Sequence, residues 1–360
     1  MKRPVTASPY SPLSSFLLCV LFLSACVTPY QPETQTMPRS LVVEGLITDR
    51  PGPYTVKLTT SADYSFKSVN LLVNGATVTI SDNAGNQEVL KEIGSSGSYQ
   101  SSPTGIRGVA GRTYTLTIQT RDGKRYVSEP ELLKATPPIL KAYYEFREDP
   151  YALTSDKISG WDVYIDTKDP ETSGDYYQWS WTHYEQLVAC RSVTDSRTNI
   201  TTDYYCCTPC WEITRCYDCV NINSDANING KAISRQFIMR VPFTSFSRYY
   251  LEVEQKMISR GAYQFLSSVK KLTRNTGGLF DAAPASVRGN IRCTSHPTEV
   301  AYGYFGAAGI SVVPLTVERT SGIGNPPAGR PWNFPYPSNP PCVACENNEY
   351  RTPVKPQWFN

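Results

Sequence analysis

The sequence predicts a mainly β protein: an N-terminal immunoglobulin-like or transthyretin-like antiparallel sandwich, followed by a second, larger β-rich domain with one amphipathic helix. Three observations predict this class. Short alternating or β-branched runs recur along the chain, turn residues separate them, and helical periodicity occurs in one segment. The 360 residues, 40% hydrophobic and 19% charged, have room for two or three cores and match neither a disordered nor a polytopic membrane protein.

Residues 1–25 have the pattern of a lipoprotein signal peptide. A basic start precedes an apolar stretch at 13–23 that is too short to span a bilayer. The stretch ends in Leu23-Ser24-Ala25-Cys26, which resembles the bacterial lipobox. Cys26 is therefore the predicted lipidation site, and acyl chains there would hold the protein on a membrane. The alternative is an ordinary signal peptide in which Cys26 is incidental.

The charge balance argues against a nucleic-acid partner. The formal net charge is +3, and no segment concentrates Lys and Arg as phosphate neutralisation requires. Only two histidines, His183 and His296, are present, which argues against His-dependent triads and His-rich metal sites. No cofactor is expected.

Residues 26–39 are predicted to be a tether, because prolines lie among polar residues without periodicity. Residues 40–136 are predicted to form the N-terminal β-sandwich. Its strand-like runs are 41–47, 54–58, 76–80, 97–100, 113–120 and 124–128. Asp122-Gly123 indicates a hairpin between the last two runs, and Pro137-Pro138 interrupts pairing and marks the domain boundary.

Residues 137–320 are predicted to form the second β-rich domain. Its strand-like runs are 161–167, 176–184, 236–241, 249–256, 301–305 and 309–318. A Cys-rich stretch at 190–220 is predicted to be a long irregular excursion. The Pro-rich C-terminal segment, 321–360, is predicted to run as an extended strap, pinned to the body of the protein by its aromatic residues and cysteines.

One segment has the period of a helix. Apolar residues recur at helical spacing in 260–275, namely Ala262, Phe265, Leu266, Val269 and Leu272. Ser259 is available as the N-cap and Gly277-Gly278 as the terminator. The sequence therefore predicts one amphipathic helix over 260–275.

Several segments together resemble a Bacteroidetes outer-membrane lipoprotein family of unknown function. They are 41–47, 53–58, 75–80, 111–116, 277–281, 289–291, 303–306 and 354–358, and they span nearly the whole chain after the signal. The resemblance implies a TonB-dependent β-barrel receptor as partner and no assigned enzymatic residues. It also implies an outer-membrane location, expected at the cell surface with the periplasmic face as the alternative.

Nine cysteines follow Cys26: Cys190, Cys206, Cys207, Cys210, Cys216, Cys219, Cys293, Cys342 and Cys345. Paired CxxC spacings in a cytosolic chain would indicate zinc. The export signal favours disulfides, because thiols oxidise outside the cytoplasm, and structural zinc is the minority alternative. Nine is an odd number, so at least one thiol is free, ligated or paired with another chain, and the connectivity stays open.

Tyr177, Trp179 and Trp181 alternate along one predicted strand and therefore share one face of it. They are a candidate platform for a sugar ring or a peptide. The favoured alternative is that they fill the core of a sandwich, since large aromatic side chains usually do.

The leading hypothesis from the sequence is a lipid-anchored, non-enzymatic accessory subunit of a TonB-dependent receptor, with a role in cargo capture or gating. The sequence has none of the HExxH, GxSxG, GxxxxGK[ST] or GxGxxG motifs. A surface hydrolase built on scattered carboxylates and a purely structural envelope protein are the alternatives. The identity of any small ligand stays open.

Overall fold

The computed structural model describes residues 39–61, 71–148, 159–216, 220–274, 287–326 and 342–356. The predicted signal peptide, Cys26, nearly all of the tether, Cys219 and Gly277-Gly278 lie outside the described residues. So do residues 327–341 of the predicted strap.

Twenty-three strands, one α-helix and a short 3₁₀ turn (Arg319–Ser321) are described. The first ten strands are β1 (Leu41–Thr48), β2 (Thr55–Thr60), β3 (Leu71–Leu72), β4 (Thr77–Asp82), β5 (Gln87–Val89), β6 (Lys91–Glu92), β7 (Ser98–Gln100), β8 (Thr113–Gln119), β9 (Arg125–Ser128) and β10 (Glu131–Leu132). The next nine are β11 (Ile139–Arg147), β12 (Gly160–Lys168), β13 (Tyr176–Gln186), β14 (Ala189–Thr194), β15 (Thr201–Cys206), β16 (Trp211–Arg215), β17 (Asn221–Ser224), β18 (Ala232–Pro242) and β19 (Tyr249–Ile258). Helix α1 (Arg260–Arg274) is followed by β20 (Ile291–Cys293), β21 (Tyr302–Val317), β22 (Cys342–Val343) and β23 (Arg351–Thr352).

An N-terminal sandwich encloses the first hydrophobic core. One layer is the β1-β2-β7-β6 end of an 11-stranded sheet, and the other is a six-stranded sheet of order β20-β9-β8-β4-β5, with β10 paired to β8. Inward residues alternate along the strands, as in β8, where Tyr114, Leu116 and Ile118 are buried. Two antiparallel layers around such a core confirm the predicted mainly β class.

The longest strand, β21, joins the two halves of the chain. Its first half pairs parallel with β1, from Val42↔Tyr302 to Thr48↔Ala308, and its second half pairs antiparallel with β19. The runs predicted separately at 301–305 and 309–318 are therefore one strand. Residues before and after the predicted boundary at 136–137 share one sheet, although they fill two separate cores.

The second core lies between strands β13, β19 and β21 of the large sheet and a three-stranded sheet of order β11-β12-β18. Aromatic rings meet edge to face within it: Trp161 contacts Phe243 and Phe146, each with ring centroids 5.1 Å apart.

The predicted excursion at 190–220 is more regular than expected. It contains β14, β15 and β16, and the C-terminal segment supplies partners for two of them, since β22 pairs with β15 and β23 with β16. The prediction of an irregular loop was wrong because β14 and β15 form a hairpin and β16 pairs with β13, and the partners from the C-terminal segment lie more than 100 residues away in the sequence. The described part of the strap is attached to the body, as predicted.

Helix α1 matches the predicted segment to within one residue. The Ala262 backbone N–H donates to Ser259 Oγ at 3.0 Å, so Ser259 is the N-cap as expected. Among the described residues, no helix has the length and apolar composition that crossing a membrane requires.

Candidate functional site

Strand β1 is apolar on both faces. Leu41, Val43 and Ile47 point into the first core and are at most 3% exposed, whereas Val42 and Leu46 are on the opposite face and only half-buried. Because side chains alternate along a strand, the outer face of the sheet carries an apolar stripe at this point. Helix α1 lies beside that stripe.

Helix α1 is held to the sheet mainly through its N-terminal half. Ala262 packs with Ile258 and Ala308 in a small third cluster. The Tyr263 ring lies 4.8 Å from that of Tyr176, and the Phe265 ring 5.3 Å from that of Tyr304. The apolar face of the helix continues into its C-terminal half with Val269 and Leu272, and there it borders an open space.

That space is a groove of about 1010 Å³ between α1 and the sheet. Its lining is predominantly apolar, with a few polar groups. The helix contributes Ala262, Phe265, Leu266, Val269 and Leu272, the sheet Val42, Glu44, Gly45, Leu46, Thr55, Lys57, Gln178, Ile258, Gly303, Tyr304, Gly306 and Ala307, and other segments Val287, Glu349 and Tyr350. A concave apolar surface with few polar groups is the usual composition of a ligand site.

A buried carboxyl group lies next to this groove. Glu131, only 5% exposed, accepts hydrogen bonds from Tyr304 Oη at 2.5 Å and from Asn290 Nδ2 at 3.4 Å. Its other oxygen, Oε2, has no hydrogen-bond partner among the described residues. Burial raises the pKa of Glu131 above its ordinary value of 4.5, against the lowering effect of hydrogen bonds from Ser259, Tyr304 and Asn290.

Replacing Glu131 with Gln is expected to flatten the pH dependence of stability. Because the folded-state pKa of Glu131 is raised, its contribution is fully present below pH 4.5 and is lost as pH rises through the folded-state pKa. Urea unfolding of the wild type should therefore give a free energy that declines with pH in this window, and Glu131→Gln should decline less. Glu148→Gln, which replaces an exposed carboxylate elsewhere in the chain, is the control and should keep the wild-type slope. An unchanged slope in Glu131→Gln would contradict the assignment.

Two of the three residues of the candidate aromatic platform are core residues, which is the alternative that the sequence favoured. Tyr177 and Trp179 are 0% and 1% exposed. Tyr177 donates to Asp169 Oδ1 at 2.5 Å and Trp179 Nε1 to Gln255 Oε1 at 2.9 Å. Trp181 is half-buried against the second core. Tyr177 and Trp179 are therefore not accessible for stacking on a ligand.

The cysteines form disulfides, as favoured from the sequence. The described bonds are Cys190–Cys206, Cys207–Cys342 and Cys210–Cys345, and Cys216 is also disulfide-bonded. Bonded sulfurs are not thiolate ligands, so the zinc alternative for these residues is wrong. Cys293, a candidate for a disulfide from the sequence, is a buried free thiol. It lies in the first core, away from the cross-linked region.

The model of a domain of unknown function, DUF4249, matches residues 27–312. The chain belongs to the DUF4249 family. This confirms that the chain is a member of a family of unknown function. A search of curated proteins found no match.

In this DUF4249 protein, the matched region contains the first core, most of the second core, α1 and all of the groove lining except Glu349 and Tyr350. It ends within β21, so Cys342 and Cys345 lie beyond the match and attach the C-terminal segment to Cys207 and Cys210 inside it. The sequence revealed the apolar face of α1 but not the groove. One signal was available: the run at 41–47 has apolar residues at both alternating sets of positions, which is typical of a strand covered on both faces.

Proposed function

We propose that this protein is a lipid-anchored, non-enzymatic accessory subunit of a TonB-dependent outer-membrane receptor. The observation that carries the proposal is the apolar groove beside α1, about 1010 Å³ in volume. We propose that an apolar segment of the receptor docks there, and that the bound subunit takes part in cargo capture or gating. The lipobox ending at Cys26 supports anchoring in the outer membrane, at the cell surface, because acyl chains there need no membrane-spanning helix.

The shape of the groove supports binding of an extended partner segment. Ala262 is buried against the sheet, and the groove extends along the helix past Val269 and Leu272. An apolar partner segment would remove these side chains from water, at about 25 cal/mol per Å² of apolar surface. Glu44, Lys57 and Glu349 lie among the lining residues and could fix its orientation.

The test is recovery of the receptor from detergent-solubilised outer membrane with tagged protein as bait. The wild type is expected to recover a β-barrel receptor. Leu272→Glu should reduce recovery at least about tenfold, because docking would bury an unpaired carboxylate. Lys271→Glu, an exposed position in the same helical turn, is the matched control and should recover the receptor as the wild type does.

Two outcomes would overturn the proposal. Recovery of no β-barrel receptor by the wild type would contradict the partnership. Equal recovery by wild type and Leu272→Glu would contradict the groove as the docking surface. Turnover of a glycan or peptide polymer by the purified protein would favour the hydrolase alternative.

A further inference from the structure

A cluster of possible metal-ligating side chains lies at the edge of the six-stranded sheet, just after β20. An antiparallel bridge joins Arg292 and Val300, so the next residues inward, Cys293 and Glu299, stand at the base of the same short turn. His296 lies midway between them in the sequence. The Glu299 backbone N–H donates to the His296 carbonyl at 2.9 Å, which closes the tip of the turn.

This fold of the chain brings three different ligand types together. One ligand atom each from Cys293, His296 and Glu299 lies within 4.8 Å of the other two. Zinc bonds of about 2.0–2.3 Å in a tetrahedral site would place such atoms about 3.3–3.7 Å apart. The ligand atoms must therefore move about 1 Å closer together to bind one ion. His296 is exposed, so its side chain can make this movement.

Neighbouring groups position Cys293 and Glu299. Cys293 pairs with Tyr126 across β20 and β9, and Tyr126 Oη donates to Glu299 Oε1. Lys124 Nζ lies 2.8 Å from Glu299 Oε2 and 3.7 Å from Asp122 Oδ2. Asp122 would keep Lys124 paired if a cation took its place beside Glu299.

The imidazole also has an outer hydrogen-bond partner. His296 Nδ1 lies 3.1 Å from Ser295 Oγ, which in turn accepts from the Arg125 backbone N–H at 3.0 Å. A bond from Nδ1–H to Ser295 would leave Nε2 as the ligating nitrogen, the arrangement common for metal-bound histidines.

The site is reachable from solvent on one side and sealed on the other. Cys293 is 5% exposed and faces the first core, whereas the Glu299 side chain is 19% exposed. Glu299 and Lys124 also line a cleft of about 330 Å³. An ion could enter through this cleft. Because Cys293 is buried, its thiol is protected from disulfide exchange with the other cysteines.

We propose that Cys293, His296 and Glu299 form a binding site for one divalent transition-metal ion of the zinc type. Sulfur, imidazole and carboxylate ligands are the set that Zn²⁺ accepts. On binding, the Cys293 thiol releases its proton to solvent and the thiolate bonds the metal. Three protein ligands leave the fourth tetrahedral position for water or an external ligand. This site is independent of the groove beside α1.

The experiment is titration of the full chain, purified in detergent and stripped with a chelator, with Co²⁺ and then Zn²⁺. We expect one equivalent of Co²⁺ to give thiolate-to-cobalt charge-transfer absorption with tetrahedral visible bands, and Zn²⁺ to displace it. Cys293→Ser should abolish the charge-transfer absorption. His296→Ala, an exposed position at which folding is not at risk, should weaken Co²⁺ affinity at least about tenfold.

Thr298→Ala, an exposed non-ligand in the same turn, is the matched control and should bind Co²⁺ as the wild type does. Absence of charge-transfer absorption at saturating Co²⁺ would overturn the site. Absorption that persists in Cys293→Ser would also overturn it, since the thiolate would then come from another cysteine. Equal Co²⁺ affinity of His296→Ala and the wild type would also overturn the proposed site.

Discussion

Replacing the four cysteines of Cys207–Cys342 and Cys210–Cys345 with serine is expected to lower the free energy of unfolding by about 7.5 kcal/mol. Each bond joins residues 135 apart in the sequence. In the chain-entropy model, the first bond across such a loop contributes about 5 kcal/mol. The second then closes only a small ring, because its cysteines lie three residues from those of the first, and it adds about 2.5 kcal/mol.

The two bonds are therefore expected to be partly redundant. Removing either one alone should cost about 2.5 kcal/mol, since the other still closes the long loop. Removing Cys190–Cys206, which joins residues 16 apart, should cost about 3 kcal/mol and serves as the control. Urea unfolding of the four variants and the wild type gives these values. A single tail variant that loses as much as the double variant would contradict the redundancy.

Replacing Gly303 with Ala is expected to destabilise the protein by at least about 3 kcal/mol. Gly303 has φ +84°, and a Cβ there would lie 1.9 Å from the Val43 carbonyl oxygen. Val43 and Gly303 are paired where β1 meets β21, so the added methyl group would push the two strands apart. The expected loss combines a left-handed backbone cost of about 1–2 kcal/mol with this backbone clash.

Gly111→Ala separates the two contributions. Gly111 has φ +86°, but a Cβ there would meet no atom within 4 Å, so only the backbone cost of about 1–2 kcal/mol is expected. Denaturant unfolding of both variants compares them directly. Equal losses in Gly303→Ala and Gly111→Ala would mean that the β1–β21 junction tolerates the methyl group.

Local features of the fold were predictable from the sequence. The helix at 260–274 follows from five apolar residues at helical spacing and from Ser259 as its cap. Most strands of the first sandwich follow from alternation and turn residues, which act over a few residues. The pairing of β1 with β21 was not predictable, because alternation shows which side chains face inward but not which distant strand supplies the hydrogen bonds.

The sites were less predictable than the fold. The aromatic alternation at Tyr177 and Trp179 is the same for a platform and a core, and only burial separates the two. The groove depends on α1 lying against strands from several distant parts of the chain, among them β1, more than 200 residues earlier, and β21, which follows the helix. Disulfide formation was predictable from the export signal, whereas the pairing of Cys207 with Cys342 depends on where the C-terminal segment lies.

The pairing of β21 with both β1 and β19 also constrains the order in which the protein can fold. A ribosome makes Val42 260 residues before its partner Tyr302, so one edge of β1 stays without its neighbour until nearly the whole chain has been synthesised. An open strand edge invites pairing with other chains, and contacts this distant in sequence form slowly. The nascent N-terminal sandwich therefore needs protection from other chains, either by a holding chaperone or by delayed folding, until residues 302–308 have emerged.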